Sequence, residues 1–134
     1  MERNQKVEDY MKIICRFREN GSVRGAFIAR ELGVSKPTVS IALKGMEAAG
    51  YLILNPDRTI ELTEKGEKIG NDVIKRNEAI SGLLTDLGVD KKTADEDACA
   101  MEHGISDESL RAIVELRQFL RVVRASSSFE KKDD

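Results

Sequence analysis

Cys99, Glu102 and His103 stand at i, i+3 and i+4 in the run CAMEH, so on a helix all three side chains leave from one face of one turn. A thiolate, a carboxylate and an imidazole are each good donors to a divalent metal, and a single turn holds them at bonding separation. The competing reading makes Cys99 a core residue, Glu102 a solvated acid and His103 a residue placed at a helix C-terminus by the helix dipole. His103 is the only histidine, which removes any His-based catalytic pair. Neither an H-E-x-x-H run nor the H-x-E with P-C-x-x-C of zinc deaminases occurs, which argues against a hydrolytic metal enzyme. With no nucleophile and base pair and no phosphate loop, the chain does not read as an enzyme.

A second constellation lies in residues 25 to 54, GAFIARELGVSKPTVSIALKGMEAAGYLIL. Residues 26 to 32 put Ile28, Ala29 and Leu32 on one helical face, and Gly33 breaks the pattern. Ser35 is placed to cap a second helix reaching about residue 49, and Pro37 is tolerated in its first turn, where backbone donors lack helical partners. Val39, Leu43 and Met46 form its inward face. Ser35, Lys36 and Thr38 at its start, with Pro37, Ser40, Ile41 and Lys44 on its outer side, offer hydroxyls, cations and an aliphatic, with no acid until Glu47. Such a surface suits a major groove, with hydroxyls to base edges or phosphates, an ammonium to phosphate and an aliphatic to a thymine methyl. The plainer alternative is a helical hairpin of any small domain. Gly50 then ends the helix, and residues 51–54 and 59–62 make two strand-like runs around Asn55-Pro-Asp-Arg58. This reads as a β wing with Arg58 at its tip, either contacting phosphate or minor groove or simply solvated.

Other elements must position these residues. Residues 5 to 19 read as a first helix, with Val7, Tyr10, Met11, Ile14 and Phe17 facing the core and Cys15 a small buried hydrophobe beside them. Glu8 and Asp9 sit near its start, where the dipole favours carboxylates. Thr63 can cap a long helix over residues 64 to 87, in which Val73, Ile80 and Leu87 recur at seven; Gly88 ends it. That stripe predicts a connector contributing to a subunit interface. A fifth helix is expected over 90–103, stopped by Gly104. Ser106 caps a sixth over 107–123, whose apolar side is Leu110, Ile113, Val114, Leu116, Phe119 and Leu120. The fold class is therefore mainly α: an N-terminal winged helix-turn-helix with a two-stranded wing over residues 1–70, then an all-helical domain over 71–124. Residues 125–134 read as a disordered polar tail.

The composition agrees. Aromatics are 4% against 40% hydrophobics, with no Trp, so the core must be aliphatic. No apolar run approaches a membrane span and no signal-like segment opens the chain, which predicts a cytoplasmic protein with no membrane partner. Two distant cysteines make no disulfide framework. The net charge of −2 hides an asymmetry: residues 1–76 carry 14 basic against 11 acidic side chains, and 77–134 carry 8 against 13. The first half suits phosphate and the second suits a cation.

VEDYMKII, ARELGVSKPTVSIALKGMEAAGYL, LTEKGEKIG and DEDACAMEHGISDE together resemble the diphtheria toxin repressor family, which includes the manganese transport regulators; the resemblance covers about residues 7–120. It implies a homodimeric, metal-dependent transcriptional repressor that binds palindromic double-stranded DNA with Fe(II) or Mn(II) as co-repressor, controls metal homeostasis, and uses no small organic substrate. It further implies that the helical domain binds metal and dimerises, that Asp9 is the first-helix ligand, and that Cys99, Glu102 and His103 form the fifth-helix cluster. The chain departs from the manganese-type pattern, which has a carboxylate at Lys12 and a histidine at Asn77, and from the iron-type pattern, which has a methionine at Asp9. Its length resembles the short two-domain form. Lys12 and Asn77 motivate an alternative, a metal-independent winged-helix regulator with a degenerate metal site, and the thin basic charge of the outer helix face motivates a module that has lost DNA binding.

Overall fold

The computed structural model describes residues 4–131, which fall into two compact units, Met1–Ile74 and Lys75–Asp134. In the first, α1 (Gln5–Phe17) begins where the Asn4 side chain accepts from the Val7 amide at 3.2 Å. It tightens into a 3₁₀ turn, Arg18–Asn20, before Gly21 at φ 119°, so the α-helix ends two residues short of the expected residue 19. Helix α2 (Gly25–Leu32) stops at Gly33, whose φ of 67° is the left-handed cap that glycine adopts without a Cβ penalty. Helix α3 (Lys36–Ala48) starts at Ser35, whose hydroxyl accepts from the Thr38 amide at 3.2 Å. Strands β1 (Leu52–Leu54) and β2 (Ile60–Leu62) pair antiparallel, Leu52 opposite Leu62, forming the expected wing.

The core of this unit gathers Met11, Ile14, Ile28, Val39, Leu43, Met46, Leu52 and Ile60, an aliphatic cluster as the composition requires. Phe17 and Phe27 meet edge to face at 4.9 Å on its margin. Helix α4 (Glu64–Asp86) enters beside the end of α3. Thr63 caps it by accepting from the Gly66 amide at 3.2 Å, and the same hydroxyl donates to the Gly50 carbonyl at 2.6 Å. Lys65 donates to the Ala49 carbonyl at 3.2 Å and lies 4.5 Å above the Tyr51 ring. The first turn of α4 thus fastens the corner between α3 and the wing. The close approach needs glycine: a Cβ on Gly66 would strike the Tyr51 carbonyl, and one on Gly70 would lie 2.6 Å from the Met11 carbonyl oxygen.

The second unit holds the rest of α4, then α5 (Lys91–Met101) and α6 (Asp107–Lys131). Two expectations change here. Helix α5 ends at Met101, and Glu102 and His103 lie in the turn that follows, where the Gly104 amide reaches the Met101 carbonyl at 3.1 Å. Helix α6 runs to Lys131 instead of stopping at Val123, and residues 132–134 of the expected tail lie outside the described residues. The physical reason is local: residues 124–131 contain no Gly or Pro, and Arg124 donates to the Asp86 carbonyl while its guanidinium lies 3.6 Å from the Asp86 carboxylate. Arg117 reaches that carboxylate at 3.4 Å.

The apolar stripes are only partly inward. Ile80, Ala94, Ala98 and Leu110 are buried, whereas Leu87, the last of the seven-residue series, is 62% exposed. On α6, Val114, Leu116 and Phe119, expected on the apolar side, are exposed together with Val122 and Val123. Among the described residues no helix is long and apolar enough to cross a membrane.

Candidate metal centre and nucleic-acid interface

In the second unit, Cys99 lies in the last turn of α5 with its side chain exposed, so the core-residue alternative fails for it. Glu102 is the C-cap residue and is fully buried, which overturns the solvated-acid alternative as well. His103 Nε2 lies 3.4 Å from Glu102 Oε1, and the two side chains are 9% and 1% exposed. A buried carboxylate is costly unless partnered, and an imidazole nitrogen beside it gives two adjacent donors of the kinds that bind divalent cations. The donor chemistry therefore fits a divalent metal.

The surroundings of this turn come from α4. Buried Asn77 donates through Nδ2 to Cys99 Sγ at 3.6 Å. Arg76, 1% exposed, donates to the Ile105 carbonyl and pairs with Asp107, fastening the segment that follows His103. In the sequence Arg76 marks only a charge boundary and Asn77 only a departure from a pattern. A buried arginine and amide at adjacent positions, facing an acidic segment, were the available signal.

Asp9 lies on α1 in the first unit and is half-buried; Glu8 and Lys12 beside it are buried. Cys15 takes no place among metal donors. It is buried, its thiol donates to the Glu67 carbonyl at 3.8 Å, and burial pushes its pKa up.

The reading face is built as its sequence implies. Ser35, Lys36, Pro37, Thr38, Ser40, Ile41, Lys44 and Arg58 are all exposed, and Ile41 is 74% exposed, while Val39, Leu43 and Met46 pack inward. Glu47, the first acid along α3, accepts from the Leu54 amide at 2.6 Å, which ties its charge to the wing. In the wing turn Arg58 has φ 71°, an uncommon conformation for a residue with a Cβ. The Asp57 carboxylate accepts from the Thr59 hydroxyl at 2.6 Å and amide at 3.0 Å, and these two bonds hold its pKa below the usual range.

The family model of the iron-dependent repressor N-terminal DNA-binding domain matches residues 4–60, and that of the iron-dependent repressor metal-binding and dimerisation domain matches residues 63–124. The chain belongs to the iron-dependent repressor family. It is 37% identical over 111 residues to the transcriptional regulator MntR of Escherichia coli, covering 82% of this chain and 72% of the relative. It is also 37% identical over 112 residues to the diphtheria toxin repressor of Corynebacterium glutamicum, covering 82% of this chain and 49% of that one. The structure of the manganese regulator SloR superposes with a TM-score of 0.73 at 25% identity, covering 89% of this chain and 55% of that one. As an iron-dependent repressor the chain is a metal-dependent transcriptional regulator, with a DNA-binding domain followed by a metal-binding and dimerisation domain. The relatives are transcriptional repressors, which are not enzymes. The family boundary at the end of the wing precedes both the expected boundary at residue 70 and the division into compact units inside α4.

Proposed function

We propose that this chain represses transcription as a homodimer on a palindromic operator, with Fe(II) or Mn(II) as co-repressor held by Asp9, Cys99, Glu102 and His103, and so controls metal homeostasis. The observation that carries this reading is the buried Glu102–His103 pair, 3.4 Å apart and directly after the turn that bears Cys99. When bound, a divalent ion supplies the positive charge that three donors from the second unit and one carboxylate from α1 can share. Asp9 and Glu102 provide hard oxygen donors, whereas Cys99 tilts the set toward Fe(II). Exposed Leu116, Phe119, Val122 and Val123 give the second unit an apolar row suited to self-association.

The coupling is a linkage. Ligands drawn from both units favour the arrangement in which two recognition helices stand one turn of DNA apart, about 34 Å, and the gain in operator affinity equals the differential affinity for that arrangement. Ser35, Lys36, Thr38, Ser40 and Lys44 would contact phosphates and base edges, Pro37 and Ile41 the apolar groove surface, and Arg58 the flanking backbone. The test is anaerobic operator binding by fluorescence anisotropy at fixed salt, with chelator and then with Fe(II) or Mn(II), using a palindrome recovered by in vitro selection. A metal-dependent gain lost in His103→Ala supports the reading. Equal affinity with chelator and with both ions would instead support the metal-independent regulator that Lys12 and Asn77 motivate.

A further inference from the structure

The face of α4 turned toward α5 carries two polar rungs one helical turn apart. At one, Ser81 Oγ donates to Asp95 Oδ1 at 2.5 Å, and Lys91 Nζ approaches Asp95 Oδ2 at 3.0 Å. At the other, Asn77 Nδ2 donates to Cys99 Sγ at 3.6 Å. Asn77 and Ser81 are four residues apart on α4, as Asp95 and Cys99 are on α5, so the first rung sets the register that the second uses. Ala94 and Ala98, both fully buried, keep that side of α5 small. Cys99 is therefore an exposed cysteine whose sulfur is aimed by a buried amide, rather than a side chain free to turn into solvent.

A neutral thiol accepts a hydrogen bond weakly, and a thiolate accepts one well, so the Asn77 N–H stabilises the sulfur most in the charged form that coordinates metal. An amide donor behind a thiolate ligand also fixes its rotamer, and such supporting contacts tune ligand and ion choice. Resting on the assignment of Cys99 as a ligand, we propose that Asn77 is a positioning residue which, through Cys99 Sγ, biases the repressor toward thiophilic ions and away from Mn(II).

The test uses the reduced full chain, with Co(II) as a probe whose thiolate charge-transfer absorption reports sulfur ligation, and Mn(II) binding by competition as the reference. Asn77→Leu keeps the volume and deletes the donor; Asn77→Ser is the second variant should the first fail to fold. The expected result is a shifted or weakened charge-transfer band and an affinity for Co(II) lowered about tenfold, with Mn(II) affinity changed by less than about threefold. In a Cys99→Ala background, Asn77→Leu should change neither ion's affinity further. Equal loss for both ions, an unchanged band, or the same loss without Cys99 overturns the proposal. A missing band in the unsubstituted protein would overturn the assignment of Cys99 itself, an outcome distinguishable because it needs no substitution.

Discussion

Two helical glycines should respond to alanine with opposite sign. Gly45 lies in exposed α3, and a Cβ added there would have no heavy atom within 4 Å, so Gly45→Ala gains helix propensity and stabilises by about 0.5–1 kcal/mol. Gly66 lies in the first turn of α4, where the methyl would strike the Tyr51 carbonyl oxygen and stand 3.0 Å from Met11 Sδ. The carbonyl cannot yield freely, because it accepts from the Thr63 amide at 3.1 Å. Overpacking costs about 1–3 kcal/mol and a strained hydrogen bond about 0.5–1.5 kcal/mol, against a propensity gain of about 1 kcal/mol. The net expectation for Gly66→Ala is a loss of about 1–3 kcal/mol, so the two variants should differ by about 2–4 kcal/mol in urea unfolding. Gly66→Ala matching or exceeding the unsubstituted protein would refute the close packing of α4 on the corner between α3 and the wing.

Three further outcomes follow from the two sites. Lys44→Ala should weaken operator binding across sequences and reduce the slope of log affinity against log salt by about 1, measured by anisotropy between two salt concentrations; an unchanged slope would remove Lys44 from the phosphate contacts. Iodoacetamide should label exposed Cys99 well before buried Cys15, whose pKa is raised by burial, and bound metal should slow only the Cys99 reaction, as read by peptide mass spectrometry. The Asp57 carboxylate has a depressed pKa in the folded wing, so its bonds to Thr59 contribute fully above the ordinary carboxylate pKa and are lost as pH falls through the depressed value. The Thr59 amide resonance should report that titration, and Asp57→Asn should abolish it.

Much of this architecture is legible in the sequence because local chemistry agrees with the packing. Ser35, Gly33 and Gly50 punctuate the helices where their capping and left-handed preferences place them, and the inward period of Val39, Leu43 and Met46 leaves Ser40, Ile41 and Lys44 outward. The rest depends on partners distant in sequence. Gly66 and Gly70 sit in a good helix pattern, and only the approach of Tyr51 and Met11 shows why a side chain is excluded there. Asn77 and Arg76 carry no motif, yet α5 and its following turn rest on them. The continuation of α6 past Val123 likewise depends on Arg124 meeting Asp86, 38 residues earlier.

The central claim is that one metal site draws ligands from α1 as well as from the second unit, and Asp9→Ala tests it most directly. Metal binding and operator binding should be titrated together in this variant. Cys99, Glu102 and His103 should still bind Co(II) with a thiolate charge-transfer band, while the metal-induced gain in operator affinity disappears. A gain equal to that of the unsubstituted protein would contradict the claim, because the metal would then act without Asp9.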